Sequence, residues 1–389
     1  MTKMAGRTKT IARFTALAAA SAAILALLKL LGILNLRLFG EAFVRGNGAI
    51  WLVAAALLAM TAVALIRYWL ILRLVSFKAR APQVVAAGLI SQAVGQWAPG
   101  SMAVTELIRF GLMAGLGDDA APKAGEPGNG SGNGHAPDPG GASSVKGRIG
   151  LSILIDRLLG LGTMFLIGGF AAFYLYYRGG ILIKYPVLLF SLAVLSLALG
   201  LVLLLAPLLT KTSPWRKLSR FLTVKAASRP PAATGPAHLK SCSNRISRGL
   251  HNAVELLNGA AARPNRLLVP IILSSVIPFL NAGTLFYAAQ AIGHPLPLSI
   301  ILVAVPFTIL AVFLPLGLAG YGGPQLVAAG VFGLFNVGSE TVVAACLVQN
   351  TVVLAVTTLL GGLSAGFALD RLRAVLAGRK KRPSDRRSP

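Results

Sequence analysis

Residues Trp97 to Gly117 read WAPGSMAVTELIRFGLMAGLG, and residues Phe313 to Phe335 read FLPLGLAGYGGPQLVAAGVFGLF. Each stretch has a proline and small residues, then a polar residue, Glu106 or Gln325, and then an apolar segment of about ten residues, which is too short to cross a bilayer. Irregular backbone cannot face lipid, so each break must be buried in protein or line an aqueous cavity. Two such breaks in opposite halves of the chain predict one discontinuous helix pair in each half.

The composition is that of a membrane protein. Of the 389 residues, 55% are hydrophobic and only 12% are charged, and the mean hydropathy is +0.74. Soluble domains carry about 25% charged residues. The net charge of +26 comes from Lys and Arg that lie between apolar segments and at both ends, as in cytoplasmic loops. The expected partners are therefore membrane lipids with anionic headgroups and not nucleic acid. The two cysteines form no disulfide framework or metal motif, and we expect no cofactor.

Hydrophobic runs divide the chain into full spans and interrupted pairs. Six full spans are predicted near 14–34, 49–72, 149–177, 182–209, 266–292 and 341–368. Two interrupted pairs are predicted at 83–98 with 102–116, and at 298–316 with 324–336. The first run could be a cleaved signal peptide, but its length favours an uncleaved span. The predicted fold is an all-α polytopic membrane protein with about six full spans and two broken or re-entrant helical hairpins.

Basic residues set the predicted orientation. Both termini, a Gly- and Pro-rich loop at 117–147 that we expect to be disordered, and a basic loop at 211–266 are placed in the cytoplasm of a multi-pass protein of the cell membrane. Each interrupted pair must then return to the side from which it entered. Residues 1–177 and 178–370 therefore form two membrane repeats of inverted topology, followed by a basic tail at 371–389. Whether each pair is re-entrant or consists of two thin spans is left open.

Four charged residues are predicted at membrane depth. Asp156 and Arg157 lie two turns inside a span, and Glu106 and Arg109 share one helix face because they are three residues apart. We expect Arg157 to meet Glu106 and Asp156 to meet Arg109, in one cluster that lines a cavity. The alternative is a network of buried ion pairs that only locks the hairpin in place. Arg67, beside Tyr68 and Trp69, is interpreted as part of an interfacial belt.

The breaks and the uncharged counterparts complete the candidate site. At Pro99 and Gly100, freed amides of the second limb would offer a site for an anion such as a lipid phosphate. In the second break the candidates are Pro315, Gly320, Tyr321, Gly322 and Gln325, and the alternative there is a tight turn that lets helices approach closely. In the second repeat, CLVQNTV matches the segment ILIDRLL, which places Gln349 and Asn350 where the first repeat has Asp156 and Arg157.

The segments APGSMAVTELIRFGLM, ILIDRLLGL and FLPLGLAGYGGPQLVAAGVF, in this order, resemble the lysylphosphatidylglycerol synthase transmembrane (flippase-like) family. The residues that match its three motifs are Pro99, Gly100, Glu106 and Arg109, then Asp156 and Arg157, and then Pro315, Gly320 and Gly322. Asp156 replaces the usual Glu, Gln325 replaces an acid, and Gln349 with Asn350 replace an arginine. The chain ends soon after its last span, so we do not expect the soluble aminoacyl-transferase domain or lysyl transfer.

The expected function is that of a flippase-like protein, not an enzyme. It would translocate an anionic or glycosylated lipid, or a lipid-linked precursor, through a central polar cavity. One alternative is a membrane-embedded glycosyltransferase that acts on a polyprenyl-phosphate lipid, although such enzymes usually need acidic residues in an outside loop and only Glu41 and Glu340 are predicted there. A second alternative is a membrane scaffold. The sequence leaves open whether the protein forms a homo-oligomer.

Overall fold

A computed structural model of the chain describes residues 36–45, 47–77, 79–98, 100–119, 141–178, 185–209, 265–313 and 321–380. Ten α-helices account for most of these residues: α1 Leu36–Arg45, α2 Asn47–Leu74, α3 Ala81–Gln96, α4 Ser101–Asp119, α5 Gly141–Tyr177, α6 Pro186–Leu209, α7 Asn265–Ala291, α8 Leu298–Phe313, α9 Gly323–Gly333 and α10 Ser339–Lys380. A helix satisfies its own backbone hydrogen bonds, which is why apolar segments of this length adopt it in lipid.

Five of these helices are long and apolar enough to cross a membrane: Gly48–Leu74, Val145–Tyr177, Pro186–Leu205, Asn265–Ala291 and Ser339–Gly366. They coincide with five of the six predicted spans. The remaining predicted span, 14–34, lies outside the described residues. The prediction of an all-α, multi-pass membrane protein is confirmed.

Both interrupted pairs are present as separate helices. α3 and α4 are joined through Trp97 to Gly100, and α8 ends at Phe313, before α9 begins at Gly323. α3 and α8 have 16 residues each. At 1.5 Å per residue such a helix measures about 24 Å, which is shorter than a hydrocarbon core of about 30 Å. Each helix pair therefore contains a helix, α3 or α8, that is too short to span the membrane upright.

The helices form two compact units, and each unit combines segments from both predicted repeats. The first contains α1, α3, α4, α8, α9 and α10, with the start of α2 and the end of α7. In it α3 packs against α4 and α10, while α8 packs against α9 and α4. The second contains α2 from Ala59 onward, α5, α6 and α7 as far as Ala282.

In the second unit α5 packs along α6, and an apolar cluster joins α2 to α5. The buried members of this cluster are Ile71, Val75, Leu151, Ile155 and Leu159. Lipid is as apolar as these side chains, so the cluster holds the two helices together through van der Waals packing and not through removal of apolar surface from water. This packing fixes the face of α5 that carries Asp156 against α2.

The predicted loops differ from the structure at their ends. α4 continues to Asp119 and α5 starts at Gly141, so the segment 117–147 is helical at both ends instead of being a loop throughout. Likewise α10 continues to Lys380, inside the predicted tail. The rest of the first loop, nearly all of the basic loop at 211–266 and residues 381–389 lie outside the described residues.

Candidate functional site

A buried ion pair joins α2 to α5. Arg67 Nε donates to Asp156 Oδ1 over 2.8 Å, and the two side chains are only 6% and 3% exposed. Arg67 lies seven residues before the end of α2 at Leu74, which corresponds to roughly 10 Å along the helix axis. A guanidinium at that distance from the helix end is paired because an uncompensated charge at membrane depth costs several kcal/mol (~2.5 or more).

The ion pair extends to α7 through Ser274. Arg67 Nη1 donates to Ser274 Oγ over 3.1 Å, and Ser274 Oγ donates to the Pro270 carbonyl over 2.7 Å. Pro278 has no N–H, so it cannot provide the helical hydrogen bond that the Ser274 carbonyl, four residues earlier, would otherwise accept. The hydroxyl of Thr163 on α5 lies 3.1 Å from that carbonyl, and its single hydrogen can go there or to the carbonyls of Leu159 and Gly160 in its own helix, at 2.9 Å and 3.0 Å. Three helices of the second unit therefore meet at one polar cluster.

This cluster corrects two predictions from the sequence. The partner of Asp156 is Arg67 and not Arg109, and Arg67 belongs to the interior and not to an interfacial belt. Tyr68 is also buried, with its hydroxyl 3.5 Å from Ser152 Oγ. The physical reason is that α2 continues for two further turns beyond Arg67. Sequence reasoning missed Arg67, and the signal that could have found it is the apolar run that continues after it.

Glu106 and Arg109 form the second ion pair, on α4 in the first unit. Arg109 Nη1 lies 3.2 Å from Glu106 Oε1, and the arginine side chain is 6% exposed. Arg157, next to Asp156 on α5, is half-buried. Its positive charge is repelled by that of Arg67. A single cluster of all four predicted charges stays a prediction.

The first break is a turn at Gly100, where φ is 63°. Residues with a side chain adopt this backbone conformation less readily than glycine does, so glycine is favoured there. The Gly100 carbonyl accepts hydrogen bonds from the amides of Ala103 and Val104, which starts α4. Just before the break, Trp97 Nε1 donates to Thr358 Oγ1 of α10 over 3.1 Å. Pro99 lies outside the described residues.

The second break ends in a hydrogen-bonded cap. Gln325 is fully buried, and its Oε1 accepts a 2.7 Å hydrogen bond from the amide of Gly322, where φ is 115°. A glutamate would offer the same acceptor oxygen, so Gln325 keeps the cap and removes a charge. The hydroxyls of Tyr321 and Thr351 are 2.9 Å apart, which ties this break to α10. Pro315 and Gly320 lie outside the described residues.

Gln349 on α10 donates through Nε2 to Thr284 Oγ1 of α7 over 2.6 Å. Asn350, the next residue, is half-buried.

Within the described ranges no three His, Cys, Asp or Glu side chains are grouped so that they could hold a metal ion. The chemistry that these residues offer is the binding of charged and polar groups by guanidinium, hydroxyl and amide donors.

Comparison with known proteins gives one match. A family model described as the lysylphosphatidylglycerol synthase TM region matches residues 13–361 of the chain. No curated protein and no solved structure matches it. The matched range includes both ion pairs, both breaks and the hydrogen bond between Gln349 and Thr284.

Proposed function

The chain belongs to the lysylphosphatidylglycerol synthase transmembrane family, and from this premise we propose that it is a flippase-like lipid transporter. The substrate would be an amphipathic lipid or lipid-linked precursor with an anionic headgroup. The protein would lie in the cell membrane with both termini in the cytoplasm, because its basic loops favour that orientation. The proposal describes a transporter and not an enzyme.

The observation that carries this proposal is the pairing of the two interrupted helix pairs. α3–α4 and α8–α9 belong to one unit, and α8 packs against α4. In many secondary transporters discontinuous helices of two inverted repeats meet in this way near the bilayer midplane and form the substrate site between them. Irregular backbone at that depth is tolerated only where protein or a water-filled cavity surrounds it.

The buried charges support a polar substrate. Arg67 with Asp156 is an ion pair between two candidate membrane spans, and Arg109 with Glu106 is an ion pair within the interrupted helix α4. Charged groups at membrane depth are rare, and each is by default a candidate for a pathway of substrates or ions. Arginine is the side chain best suited to phosphate, since its planar fork can donate two parallel hydrogen bonds.

The shape of the second interrupted pair supports a lipid and not a soluble solute. α9 has only 11 residues and is preceded by the Gly-rich break. A short helix beside a glycine-rich segment can move aside and admit acyl chains from the bilayer, which a water-soluble substrate would not need.

A scrambling assay tests the proposal directly. The purified chain is reconstituted into vesicles that contain fluorescent lipids with different headgroups, and the fraction of each lipid accessible to an added quencher is followed. We expect the wild type to move at least one anionic lipid. Arg157→Gln should abolish this movement while the protein still accumulates in the membrane.

Arg178→Gln provides the matched control, because Arg178 is an exposed arginine at the end of the same helix. It should leave transport unchanged. If Arg157→Gln accumulates normally and moves every lipid as well as the wild type does, the headgroup does not pass through the central polar cavity. If the wild type moves no lipid in any vesicle, the proposed function is wrong.

A further inference from the structure

Tyrosines are concentrated at one end of the hairpin that α5 and α6 form. Four of the seven tyrosines in the chain lie between residues 174 and 185, where α5 ends and α6 begins. Tyr174, Tyr176 and Tyr177 are 51%, 38% and 75% exposed, and Tyr185 is 50% exposed. A tyrosine has an apolar ring and a polar hydroxyl, so it suits a surface whose surroundings are partly apolar and partly wet. We call these four residues the tyrosine surface.

The tyrosine surface lies where two candidate membrane spans end. The span in α5 runs to Tyr177, and the span in α6 starts at Pro186. Arg178 is exposed, and its Cζ lies 5.6 Å from the centroid of the Tyr174 ring. An exposed guanidinium is costly in hydrocarbon, so this level of the protein belongs to the headgroup layer. At that depth a tyrosine ring can stay in the apolar layer while its hydroxyl reaches the oxygen atoms of the headgroups.

Contacts between the two helices hold this end of the hairpin together. Tyr176 of α5 packs on Phe190 of α6, with the ring centroids 5.1 Å apart. Further along the hairpin, a Cβ at Gly169 of α5 would lie 2.9 Å from the backbone nitrogen of Leu197 on α6. Glycine therefore lets the two backbones approach closely, as small residues do between membrane helices. Because the helices are packed in this way, an anchor at their joined end would set the depth of both.

The charges near the tyrosine surface favour lipid as its partner. Residues 170–190 contain Arg178 and Lys184 and no acidic residue, which is complementary to anionic headgroups. The opposite end of α5 carries Lys146 and Arg148 instead, and residues 141–150 contain no tyrosine. In the predicted orientation that basic end lies in the cytoplasm, so the tyrosine surface meets the outer leaflet.

We propose that the tyrosine surface binds the headgroup layer of the leaflet at which α5 ends, and that it fixes the depth of the α5–α6 hairpin in the membrane. The hydroxyls donate hydrogen bonds to phosphate and ester oxygens of the lipids, and the rings pack among the upper parts of the acyl chains. This contact is with the lipids of the bilayer and not with a transported lipid, so it goes beyond the proposed function. A soluble ligand and a second copy of the chain are the other possible occupants.

The depth of a spin label close to the surface tests the inference. The full chain, with Cys242→Ser and Cys346→Ala, carries one nitroxide at Leu188→Cys, an exposed position on α6. It is reconstituted into vesicles of phosphatidylcholine and phosphatidylglycerol. The depth of the label follows from the ratio of its collision rates with oxygen, which concentrates in the hydrocarbon, and with a water-soluble nickel chelate.

Two triple variants of α5 separate the hydroxyls from the rings. The leucine variant combines Tyr174→Leu, Tyr176→Leu and Tyr177→Leu and makes the last turn of α5 apolar. The label should then move towards the bilayer centre by up to one helical turn, about 5 Å. The phenylalanine variant, with the same three positions changed to Phe, keeps the rings and should shift the label less, in the same direction. Phe170→Leu is the matched control, because it removes an exposed ring without a hydroxyl from the same helix and should leave the depth unchanged.

The inference is overturned if the label stays at its wild-type depth in a leucine variant whose thermal unfolding shows that it is folded. If the leucine variant does not fold, the phenylalanine variant, which retains the ring contacts, decides in the same way. Labels that broaden each other's spectra in the wild type, and not in the triple variants, would also overturn it, because a second copy would then cover the surface. Lipid movement in vesicles is measured separately. Its absence would refute the proposed function and leave the tyrosine surface standing.

Discussion

Arg67 and Thr284 occupy matching places in two helices, because each lies seven residues before the last residue of its helix. Each side chain forms a hydrogen bond with a residue in a later span of the same predicted repeat. Arg67 donates to Asp156 of α5, and Thr284 accepts from Gln349 of α10. Asp156 and Gln349 are the residues that the matching segments ILIDRLL and CLVQNTV align. The two bonds therefore lie at corresponding positions of the two predicted repeats, and one is ionic while the other is neutral.

The ion pair should behave as a unit in a double-mutant cycle. Arg67→Gln or Asp156→Asn alone leaves one buried charge and should cost about 3 kcal/mol or more of unfolding free energy. The double variant should cost clearly less than the sum. Unfolding of the purified protein by denaturant measures all three. Additive effects would show that the two residues act independently.

Thr163 should matter through its hydroxyl. Thr163→Val keeps the shape of the side chain but removes the donor to the Ser274 carbonyl beside Pro278, so it should destabilise the protein by about 1 kcal/mol. Thr163→Ser keeps the hydroxyl and serves as the control. Thermal unfolding in detergent compares them. A Val variant as stable as the wild type would mean that the hydrogen bond contributes nothing.

Gln325 should act as an acceptor and not as a transport residue. Gln325→Leu leaves the buried amide of Gly322 without its acceptor and should cost about 1–3 kcal/mol. Gln325→Glu supplies an equivalent oxygen near a helix N-terminus, but it loses the amide donor and puts a charge at a fully buried position, so it should also destabilise the protein. The melting temperatures of both variants are compared with that of the wild type. A Leu variant as stable as the wild type would contradict the role of the cap.

The predicted orientation can be tested with native Cys242. An impermeant thiol reagent should label it only after the cells are permeabilised. Cys346→Ala removes the other cysteine, which is buried, so that all label reports on one position. Ser131→Cys extends the test to the loop at 117–147. Labelling of either position in intact cells would reverse the orientation and remove the basis of the inverted repeat.

Hydropathy was enough to predict the spans, since the formation of an apolar helix in lipid depends mainly on the sequence of that helix. Five predicted spans agree with the described helices, and both interrupted pairs are present as separate helices. Spacing within one helix was also informative, as Glu106 and Arg109 pair three residues apart.

Partners on different helices could not be predicted in the same way. The sequence places Asp156 at membrane depth but does not say that α2 is its neighbour, because helix packing depends on which faces fit together. Arg67 was misassigned for a related reason. Its neighbours Tyr68 and Trp69 are typical of an interface, and only the length of α2 shows that the interface begins later, near Arg73. Arg73 is exposed and stacks over Trp69 at 3.8 Å, as an interfacial arginine does.

The neutral bond between Gln349 and Thr284 has a consequence for how the protein responds to a membrane potential. A potential of 100 mV does about 2.3 kcal/mol of work on each elementary charge that crosses the membrane. The ion pairs of the described spans belong to residues before 178, while Gln325, Gln349 and Thr284 after 265 carry no charge. Each ion pair is neutral as a whole, so a voltage can do net work on it only if its two charges move apart, and it does no such work on the uncharged side chains after 265.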